Sequence, residues 1–504
     1  MKGKNQLRFA LIGILCLLMG GAWSFYASRR YSEKRYVVDA ASCRMNLVVV
    51  ERKDLPPSSE TGSVVLFHGI SANENIMQYL ARAFAELGLR VFLPDLPGHG
   101  RSPGPFTPEL AESCSVSLVR GLAARGMLVP ERTILAGHSM GAAIALRIAQ
   151  RVRPAGVIAI SPAPMKPAHG AIPENLLFHD VPILPPNTRI LVGQFDITAL
   201  TENARDLVPD NSGPVPPFKV IPWNTHVSML FSPAVAMDSQ AWASLVLALP
   251  EATRLPSRGN LFGCLVGFVG ILLLAGPCIR DLVGKEQRTD PVSTPPRRYR
   301  GALEIAIFSL FAIYLLGYWQ PLRFLRLFQG AYLAGFFLVV GVGLILLHLR
   351  ETRVQWPVSP GLLVGAALAA ILFYFLAAGW FELTATSAWL TAQRWERFPV
   401  FLVAAFLFFF GLELLSGPAE NWRARYAYWL LLVVVAWSTL SFGVLHLKSG
   451  EFLLVLLSPY FALQFILSGM GVQLVRQLTG SATAAAVFGA ILLTGFSLVL
   501  FPVS

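Results

Sequence analysis

The sequence predicts two fold classes in one chain: an α/β domain with a doubly wound, mostly parallel sheet, and an all-α polytopic transmembrane domain. Of the 504 residues, 54% are hydrophobic and only 14% are charged, a balance too apolar for an ordinary soluble protein of this length. Apolar runs long enough to span a bilayer follow one another after about residue 259. Between about residues 36 and 255, short apolar runs instead alternate with helical segments, which is typical of a parallel sheet covered on both faces.

These patterns divide the chain into three parts: an N-terminal signal anchor within residues 1–35, the α/β domain over 36–255, and a membrane domain of about eight helices over 256–504. The first apolar run extends from Phe9 to about Ala27 and follows several basic residues. We predict that it is an uncleaved transmembrane anchor, because it is long for a signal peptide and ends in aromatic and basic residues. A cleaved signal peptide remains the alternative.

The membrane domain is predicted from apolar runs separated by short polar loops, which with the anchor make about nine spans. The runs lie at approximately residues 260–279, 302–320, 330–348, 361–379, 398–416, 428–447, 451–470 and 482–501.

Basic residues indicate which loops face the cytoplasm. One alternating set of loops is the richer in Arg and Lys, and its members include Arg280, Lys285, Arg288, Arg297, Arg298, Arg300, Arg350, Arg353, Arg423, Arg425 and Arg476. The positive-inside rule makes this set cytoplasmic and residues 36–255 periplasmic or extracellular, as in a bacterial inner-membrane protein among membrane lipids. The net charge of +12 then reflects mainly these loops, and we expect no nucleic-acid partner because the α/β domain has no basic stripe interleaved with aromatic residues.

Five cysteines leave the redox state of the chain open. Cys43 and Cys114 lie in the α/β domain, where an extracytoplasmic location permits a disulfide, but two buried thiols fit the sequence equally well. Cys16, Cys264 and Cys278 fall in apolar runs. No Cys/His spacing resembles a zinc site, so we expect neither a metal nor another cofactor.

A G-x-S-x-G pentapeptide lies between a predicted strand, Thr133–Ala136, and a predicted helix, Ala142–Ala149. In that context the serine occupies a sharp strand-to-helix turn with an exposed hydroxyl, and the flanking glycines let the turn close. We predict Ser139 as a nucleophile. The other residues of this nucleophile elbow are Gly137, His138, Met140 and Gly141.

A second loop follows the predicted strand Ser63–Phe67 and begins His68-Gly69-Ile70. Acyl-transfer enzymes hold the developing oxyanion with two backbone amides, one from such a loop and one from the residue after the nucleophile. We therefore assign the oxyanion hole to the amides of Ile70 and Met140. His68 is interpreted as a hydrogen-bonding residue of the loop rather than as a catalyst.

The candidate acid is Asp196, which ends the apolar run Arg189–Val192 and its continuation. A carboxylate at a strand end can accept from a histidine ring and stabilise the imidazolium. Its competitors do not directly follow a strand; they are Glu202, Asp206 and Asp210.

The candidate base is His226, on the loop after the last predicted strand, Phe218–Ile221. A histidine there can take the proton of Ser139 and return it to the leaving group. His169 and His179 precede the strand that carries the acid and break the order Ser, Asp, His. Asp95 and His99 precede the serine, in a turn rich in Pro and Gly, and are interpreted as stabilising that turn.

The motifs His68-Gly69, the Pro94–Ser102 turn and the elbow around Ser139 resemble the α/β-hydrolase superfamily, in particular its monoacylglycerol lipase and lysophospholipase branch, also grouped with serine aminopeptidases S33. The resemblance covers about residues 60–250 and implies a Ser-His-Asp triad. That branch usually has a helical cap before the acid strand. Here the segment 161–188 is short and rich in proline, so we expect a small or missing cap and an open pocket.

Two functions of different classes follow. In the first, the protein is a membrane-bound serine hydrolase that cleaves a small-molecule or lipid ester through an acyl-enzyme. An apolar rim favours this substrate class; its residues are Pro162, Pro164, Met165, Leu176, Leu177 and Phe178. In the second, the membrane domain is a transporter or lipid-handling bundle with a hydrolase-like sensing module, and its functional candidates are Glu304, Glu413, His348 and His446. A serine peptidase is a minor third hypothesis.

Overall fold

The structure is a computed structural model. It describes residues 2–504 except the segments 41–42, 56–61, 164–183, 209–216, 251–253, 285–297, 349–358, 418–420 and 448–449. The chain forms two compact units. The sheet unit comprises residues 20–264, 381–387 and 502–504, and the helical unit comprises residues 1–19, 265–380 and 388–501.

The sheet unit is built on eight strands in the spatial order β1-β2-β4-β3-β5-β6-β7-β8. Strands β3 to β8 pair in parallel, whereas β1 pairs antiparallel with β2 and β2 antiparallel with β4. The strands are β1 Tyr31–Ala40, β2 Cys43–Arg52, β3 Ser63–Phe67, β4 Arg90–Pro94, β5 Thr133–His138, β6 Gly156–Ile160, β7 Thr188–Phe195 and β8 Phe218–Thr225.

Helices cover both faces of this sheet and follow the parallel strands in alternation. They are α2 Gln78–Ala85, α3 Pro108–Ala124, α4 Met140–Val152, α5 Thr198–Arg205 and α6 Pro233–Leu247. Strands β3, β5 and β6 are buried along their whole length, which explains their continuous apolar sequences. The predicted α/β class with a doubly wound, mostly parallel sheet is therefore confirmed.

The hairpin β1–β2 has no counterpart in the prediction. Most of β1 is exposed, and its charged side chains mask the strand signal that an apolar run gives to a central strand. A disulfide between Cys43, at the start of β2, and Cys114 of α3 ties this hairpin to the body of the unit. The pairing that the sequence left open is thus present in the structure.

The unit also includes two short segments distant in sequence. Val503, near the end of the chain, pairs with the turn after β4: its amide donates to Gly98 O (3.0 Å), and its carbonyl accepts from Phe106 N (2.6 Å). Residues 386 and 387 contact the loop after β3, as described below. The sheet unit therefore includes segments outside residues 36–255.

The helical unit contains the rest of the helices. They are α1 Lys2–Ser28, α7 Gly259–Val283, α8 Arg298–Tyr318, α9 Gly330–His348, α10 Pro360–Thr384, α11 Ala392–Trp395, α12 Phe398–Ser416, α13 Trp422–His446, α14 Phe452–Leu456, α15 Ser458–Thr479 and α16 Ala482–Leu500. The residues of α1, α7 and α10 are divided between the two units. The interior of the helical unit is aromatic: the rings of Phe337 and Phe408 lie 4.7 Å apart, and Phe409 lies 5.9 Å from Trp429.

Within the described residues, eight helices are long and apolar enough to cross a membrane. They are α1, α7, α8, α9, α10, α12, α13 and α16. The predicted span 451–470 is not among them, because it is divided between α14 and α15, and α15 carries Gln464, Gln473 and Arg476. The helix exists, but its sequence is more polar than those of its neighbours.

Candidate active site

Every residue proposed for the active site lies at or just beyond the carboxyl end of a parallel strand. Ser139 follows β5, the His68 loop follows β3, Asp196 follows β7 and His226 follows β8. The carboxyl ends of parallel strands share one edge of the sheet, where α/β proteins build their sites. This edge is called the active-site edge below.

Ser139 occupies a strained turn between β5 and α4. Its φ of 53° and ψ of −118° lie outside the regions that residues with side chains prefer, a conformation that costs about 1–3 kcal/mol. The flanking glycines permit the close packing that this turn demands. A Cβ on Gly137 would lie 2.3 Å from the Gly141 backbone, and one on Gly141 would lie 2.4 Å from Phe67 O.

His226 and Asp196 are in direct contact. The Nδ1–H of His226 donates to Asp196 Oδ1 at 2.9 Å, and both side chains are buried. The same oxygen accepts from the backbone N–H of Ile197 at 2.7 Å. Burial acts to raise the pKa of Asp196, but the hydrogen bond and charge of His226 outweigh it and hold the pKa below its ordinary value. The carboxylate therefore remains ionised and can stabilise a protonated imidazole.

His138, the residue before Ser139, contacts His226 directly. The Nε2–H of His138 donates to the backbone oxygen of His226 at 2.9 Å, and the two rings lie 4.7 Å apart. Among the described residues, no hydrogen bond joins the Ser139 hydroxyl to the His226 ring.

His138 itself is not suited to carry a proton. Burial, together with the charge of His226, lowers the pKa of His138 to about 3, so its ring is neutral in the physiological range. Its role in the structure is to hold the end of β5 against the loop that carries His226.

The loop after β3 packs directly against the nucleophile. A Cβ on Gly69 would lie only 3.2 Å from Ser139 Cβ and 3.1 Å from His138 Nδ1, so the backbone here can approach the serine closely. Met140 opens α4, and its amide belongs to the first turn, whose N–H groups have no intrahelical partner. The Met140 amide and the loop that carries Ile70 thus flank Ser139, the arrangement that an oxyanion hole requires.

His68 is fully buried and holds two loops together. Its Nδ1–H donates to Gly69 O at 2.7 Å, and its Nε2 accepts from the backbone N–H of Leu96 at 3.0 Å. Burial lowers the pKa of His68 to about 4, so this neutral tautomer persists above that pH. His68 therefore acts as a structural link between the loops after β3 and β4.

Asp95 has a comparable structural position. Its carboxylate accepts from the backbone N–H groups of Glu74 (2.9 Å) and Arg101 (2.8 Å) and from the Asn46 side chain (3.1 Å). His99 bonds Pro97 O within the same turn at 3.0 Å. The Asp95 carboxylate therefore joins its own turn to β2 and to the loop after β3, whereas His99 bonds within the turn.

The structure describes only some of the other candidate residues from the sequence analysis. Glu202 lies on α5 and Asp206 just after it, neither of them bonded to His226. Pro162, at the start of the predicted rim, is buried. The remaining candidates lie outside the described residues: Asp210, His169, His179, Pro164, Met165, Leu176, Leu177 and Phe178.

Two residues next to the active-site edge escaped the sequence analysis. Asn73 bonds the segment 386–387, and the buried carboxyl of Glu74 lies beside Asp95 and within 2.6 Å of Arg35. Burial, with the charge of Asp95, raises the pKa of Glu74 to about 8. The polar run Asn73-Glu74-Asn75, in the loop after the short apolar strand Ser63–Phe67, was the available signal, but its partners are distant in sequence.

The charged candidates of the helical unit are mostly paired. His348 Nε2 contacts Glu304 at 2.8 Å, and Arg300 contacts the same carboxylate at 2.7 Å. Glu413 is buried against Arg425 at 2.5 Å. His446 is exposed and bonded to the backbone of its own helix. Within the described part of the chain, no group of three or more His, Cys, Asp or Glu side chains is arranged to hold a metal ion.

Comparison with known proteins follows the same division of the chain. Residues 64–307 match a family model described as the alpha/beta hydrolase family. Over 112 residues the chain is 33% identical to Esterase YjfP of Escherichia coli (strain K12). This match covers 20% of the present chain and 43% of the esterase, so the chain spans less than half the length of that relative.

Solved structures resemble the chain at low identity. An alpha-beta serine hydrolase homologue from Coxiella burnetii is 18% identical, covers 43% of this chain and 96% of its own, and superposes with a TM-score of 0.33. XC6422 from Xanthomonas campestris, described as an a/b serine hydrolase without lid, is 18% identical, covers 44% and 96%, and has a TM-score of 0.34.

Proposed function

Because the sheet unit has the α/β-hydrolase fold, and residues 64–307 match that family, we propose that the protein is a membrane-bound serine hydrolase that cleaves acyl esters. The observation that carries the proposal is the His226–Asp196 hydrogen bond beside the strained turn of Ser139. A carboxylate that orients an imidazole, next to a serine at a helix N-terminus, is the arrangement that acyl transfer needs. The esterase relative supports ester hydrolysis.

Catalysis then proceeds through an acyl-enzyme. The His226 ring takes the Ser139 hydroxyl proton as the serine oxygen attacks the ester carbonyl, and Asp196 stabilises the imidazolium. The amides of Ile70 and Met140 hold the negative oxygen of the tetrahedral intermediate, each worth about 2.7–4 kcal/mol. The intermediate collapses, the alcohol leaves with the proton from His226, and water activated by the same ring releases the acid and restores the serine.

A lipid ester is the substrate class that the surroundings of the site favour. Ser387 and Val503, which contact loops at the active-site edge, each lie within a few residues of the end of a candidate span, α10 or α16. Each of these loops is therefore linked to a candidate span by only a few residues of chain. A site linked in this way to apolar spans favours an ester with an acyl chain.

We also propose that the sheet unit is extracytoplasmic, in a bacterial inner membrane. The distribution of basic residues between loops supports this orientation. The Cys43–Cys114 disulfide supports it independently, because such bonds persist in oxidising compartments and are rare in the cytosol.

Labelling with a fluorophosphonate probe tests the proposal. Membranes that contain the full chain should react with the probe through Ser139, and Ser139→Ala should abolish the labelled band. Ser115→Ala, which removes a buried hydroxyl bonded only within α3, should label like the parent protein. Undiminished labelling of Ser139→Ala would exclude this residue as the nucleophile.

A further inference from the structure

A cavity lies in the sheet unit, outside the catalytic residues. Its solvent-accessible volume is about 40 Å³, within a wider concavity that opens to solvent, and none of Ser139, Asp196 and His226 lines it. Its walls come from α2, from the first turn of α7 and from the end of α10.

Two arginines give this cavity a positive charge. Arg82 is buried on α2, where one guanidinium nitrogen bonds Glu33 at 2.7 Å and its Nε has no hydrogen-bond partner among the described residues. Arg258 is exposed at the start of α7 and pairs with no carboxylate in the described part of the chain. Its guanidinium carbon lies 5.6 Å from the Phe262 ring centroid, and both Arg258 and Tyr79 line the cavity. In the described part of the chain, Glu33 is the one carboxylate that forms an ion pair with either arginine.

Polar groups without partners line the same space. Neither Nε2 nor Oε1 of Gln78 is hydrogen-bonded among the described residues, although both atoms are buried. A buried amide left unpaired costs about 1–3 kcal/mol, so it points to a missing partner. Asn260 and Leu261 add the first turn of a 25-residue helix, whose free N–H groups favour an anion.

The position of the cavity relates it to the bilayer surface. Ser257 and Arg258 immediately precede the candidate span Gly259–Val283, and Thr384 ends the candidate span Pro360–Thr384. Segments that flank spans lie at the depth of lipid headgroups. Phe231 and Leu261 supply an apolar wall beside the cationic one, as an amphiphile requires.

We propose that this cavity binds a phosphate group, supplied by the headgroup of an anionic phospholipid. Arg82 Nε and the Arg258 guanidinium donate to the phosphate oxygens, the Gln78 amide gains the partner it lacks, and the apolar wall contacts the glycerol and proximal acyl carbons. Soluble phosphate shares the same chemistry but would leave the apolar wall unused. This site is separate from the catalytic one and does not depend on the identity of the substrate.

Native mass spectrometry of the full chain in detergent tests the proposal, with phosphatidylglycerol, phosphatidylcholine and inorganic phosphate added separately. Phosphatidylglycerol should form the persistent adduct, and Arg258→Gln should weaken it roughly tenfold or more. The matched control is Arg254→Gln, which removes an exposed charge four residues earlier and outside the cavity wall, and it should bind like the parent chain.

A second variant separates binding from folding. Gln78→Leu removes the unpaired amide, so it should weaken the lipid adduct while thermal stability is kept or raised. Equal binding of the two lipids, or an adduct unchanged in both Arg258→Gln and Gln78→Leu, would overturn the proposal. An Arg258-dependent adduct with inorganic phosphate that lipid fails to displace would overturn the assignment to a lipid.

Discussion

Two carboxyl groups near the active-site edge have opposite electrostatic environments. Asp196 is buried but receives hydrogen bonds from His226 and the Ile197 amide, so its pKa is lowered and it carries a charge. Glu74 is buried beside a second carboxyl group, Asp95, and the contact with Arg35 does not compensate, so its pKa rises to about 8. At neutral pH one group therefore serves as an ionised partner for a histidine, and the other keeps its proton.

The protonated state of Glu74 makes stability depend on pH. The pKa of Glu74 is raised from 4.5 in the unfolded chain to about 8 in the fold. The contribution of the protonated carboxyl group to the free energy of unfolding is therefore complete below about pH 4.5. It is lost as the pH rises to 8. The steepest loss is about 1.4 kcal/mol per pH unit. Glu74→Gln, which is neutral at every pH, should flatten the dependence of Tm between pH 5 and 8 and raise Tm at pH 8.

Thermal unfolding of the full chain in detergent, followed by tryptophan fluorescence, measures this effect. Glu131→Gln is the control, because this glutamate lies on an exposed turn and makes no ion pair among the described residues. If both variants and the parent protein show the same slope of Tm against pH, Glu74 is ionised in the fold and the prediction is wrong.

At the scale of elements, the loop of residues 68–75 is held on three sides. His68 bonds the turn after β4, and the Glu74 amide bonds Asp95 in the same turn. On the third side, Asn73 Oδ1 accepts from Ser387 N and its Nδ2 donates to Ser387 O, both at 3.2 Å. A segment that follows α10 therefore helps to fix the loop that carries the proposed oxyanion donor Ile70.

Loss of the Asn73 contacts should impair catalysis more than substrate binding. Asn73→Ala should lower kcat for a soluble ester roughly tenfold with little change in KM, since a displaced oxyanion donor weakens only the transition state. Asn73→Asp keeps the acceptor for Ser387 N and should recover part of the loss. Steady-state kinetics of the purified full chain measure both parameters.

Asn187→Gly is the control for this series. It removes an exposed asparagine before β7, at the opposite edge of the sheet, where a φ of 52° suits glycine. Parent-like kcat in Asn73→Ala, or a rise confined to KM, would exclude a positioning role for Asn73.

At the scale of the whole molecule, the chain returns to the sheet unit twice after α7. Residues 381–387 and 502–504 both belong to that unit, so they lie on the same side of a membrane as the sheet. An even number of crossings must separate them. Because α12, α13 and α16 are the candidate spans between these segments, and α11 and α14 are too short to cross, we predict that α15 supplies the fourth crossing.

We therefore expect about nine crossings, with opposite ends of α15 on opposite sides of the membrane. A membrane-impermeant maleimide should label Leu447→Cys, before α15, in intact cells. It should label Gln477→Cys, near the end of α15, only after permeabilisation. Arg125→Cys on the sheet unit serves as the external reference. Labelling of both positions in intact cells would mean that α15 does not cross.

The sequence alone determined the α/β class, the apolar helices and the order of the candidate residues, because each depends on local signals: short buried strands, long apolar runs and a G-x-S-x-G turn at a strand end. The roles of Ser139, Asp196 and His226 in a reaction, and the lipase-like branch, remain predictions. The contact of Asp196 with His226 follows from their positions at two neighbouring strand ends, which the strand order sets.

Only the tertiary structure decided which distant groups meet. The Cys43–Cys114 bond, the support of Asn73 by Ser387, the burial of Glu74 beside Asp95 and the cavity between Arg82 and Arg258 all join residues that no short sequence window contains. Burial and pairing set the charge state of a carboxyl group and the cost of an unpaired amide, and both depend on the packed neighbours rather than on the residue type. Hydrophobic periodicity reports which face of an element is buried, but it does not report what that face is buried against.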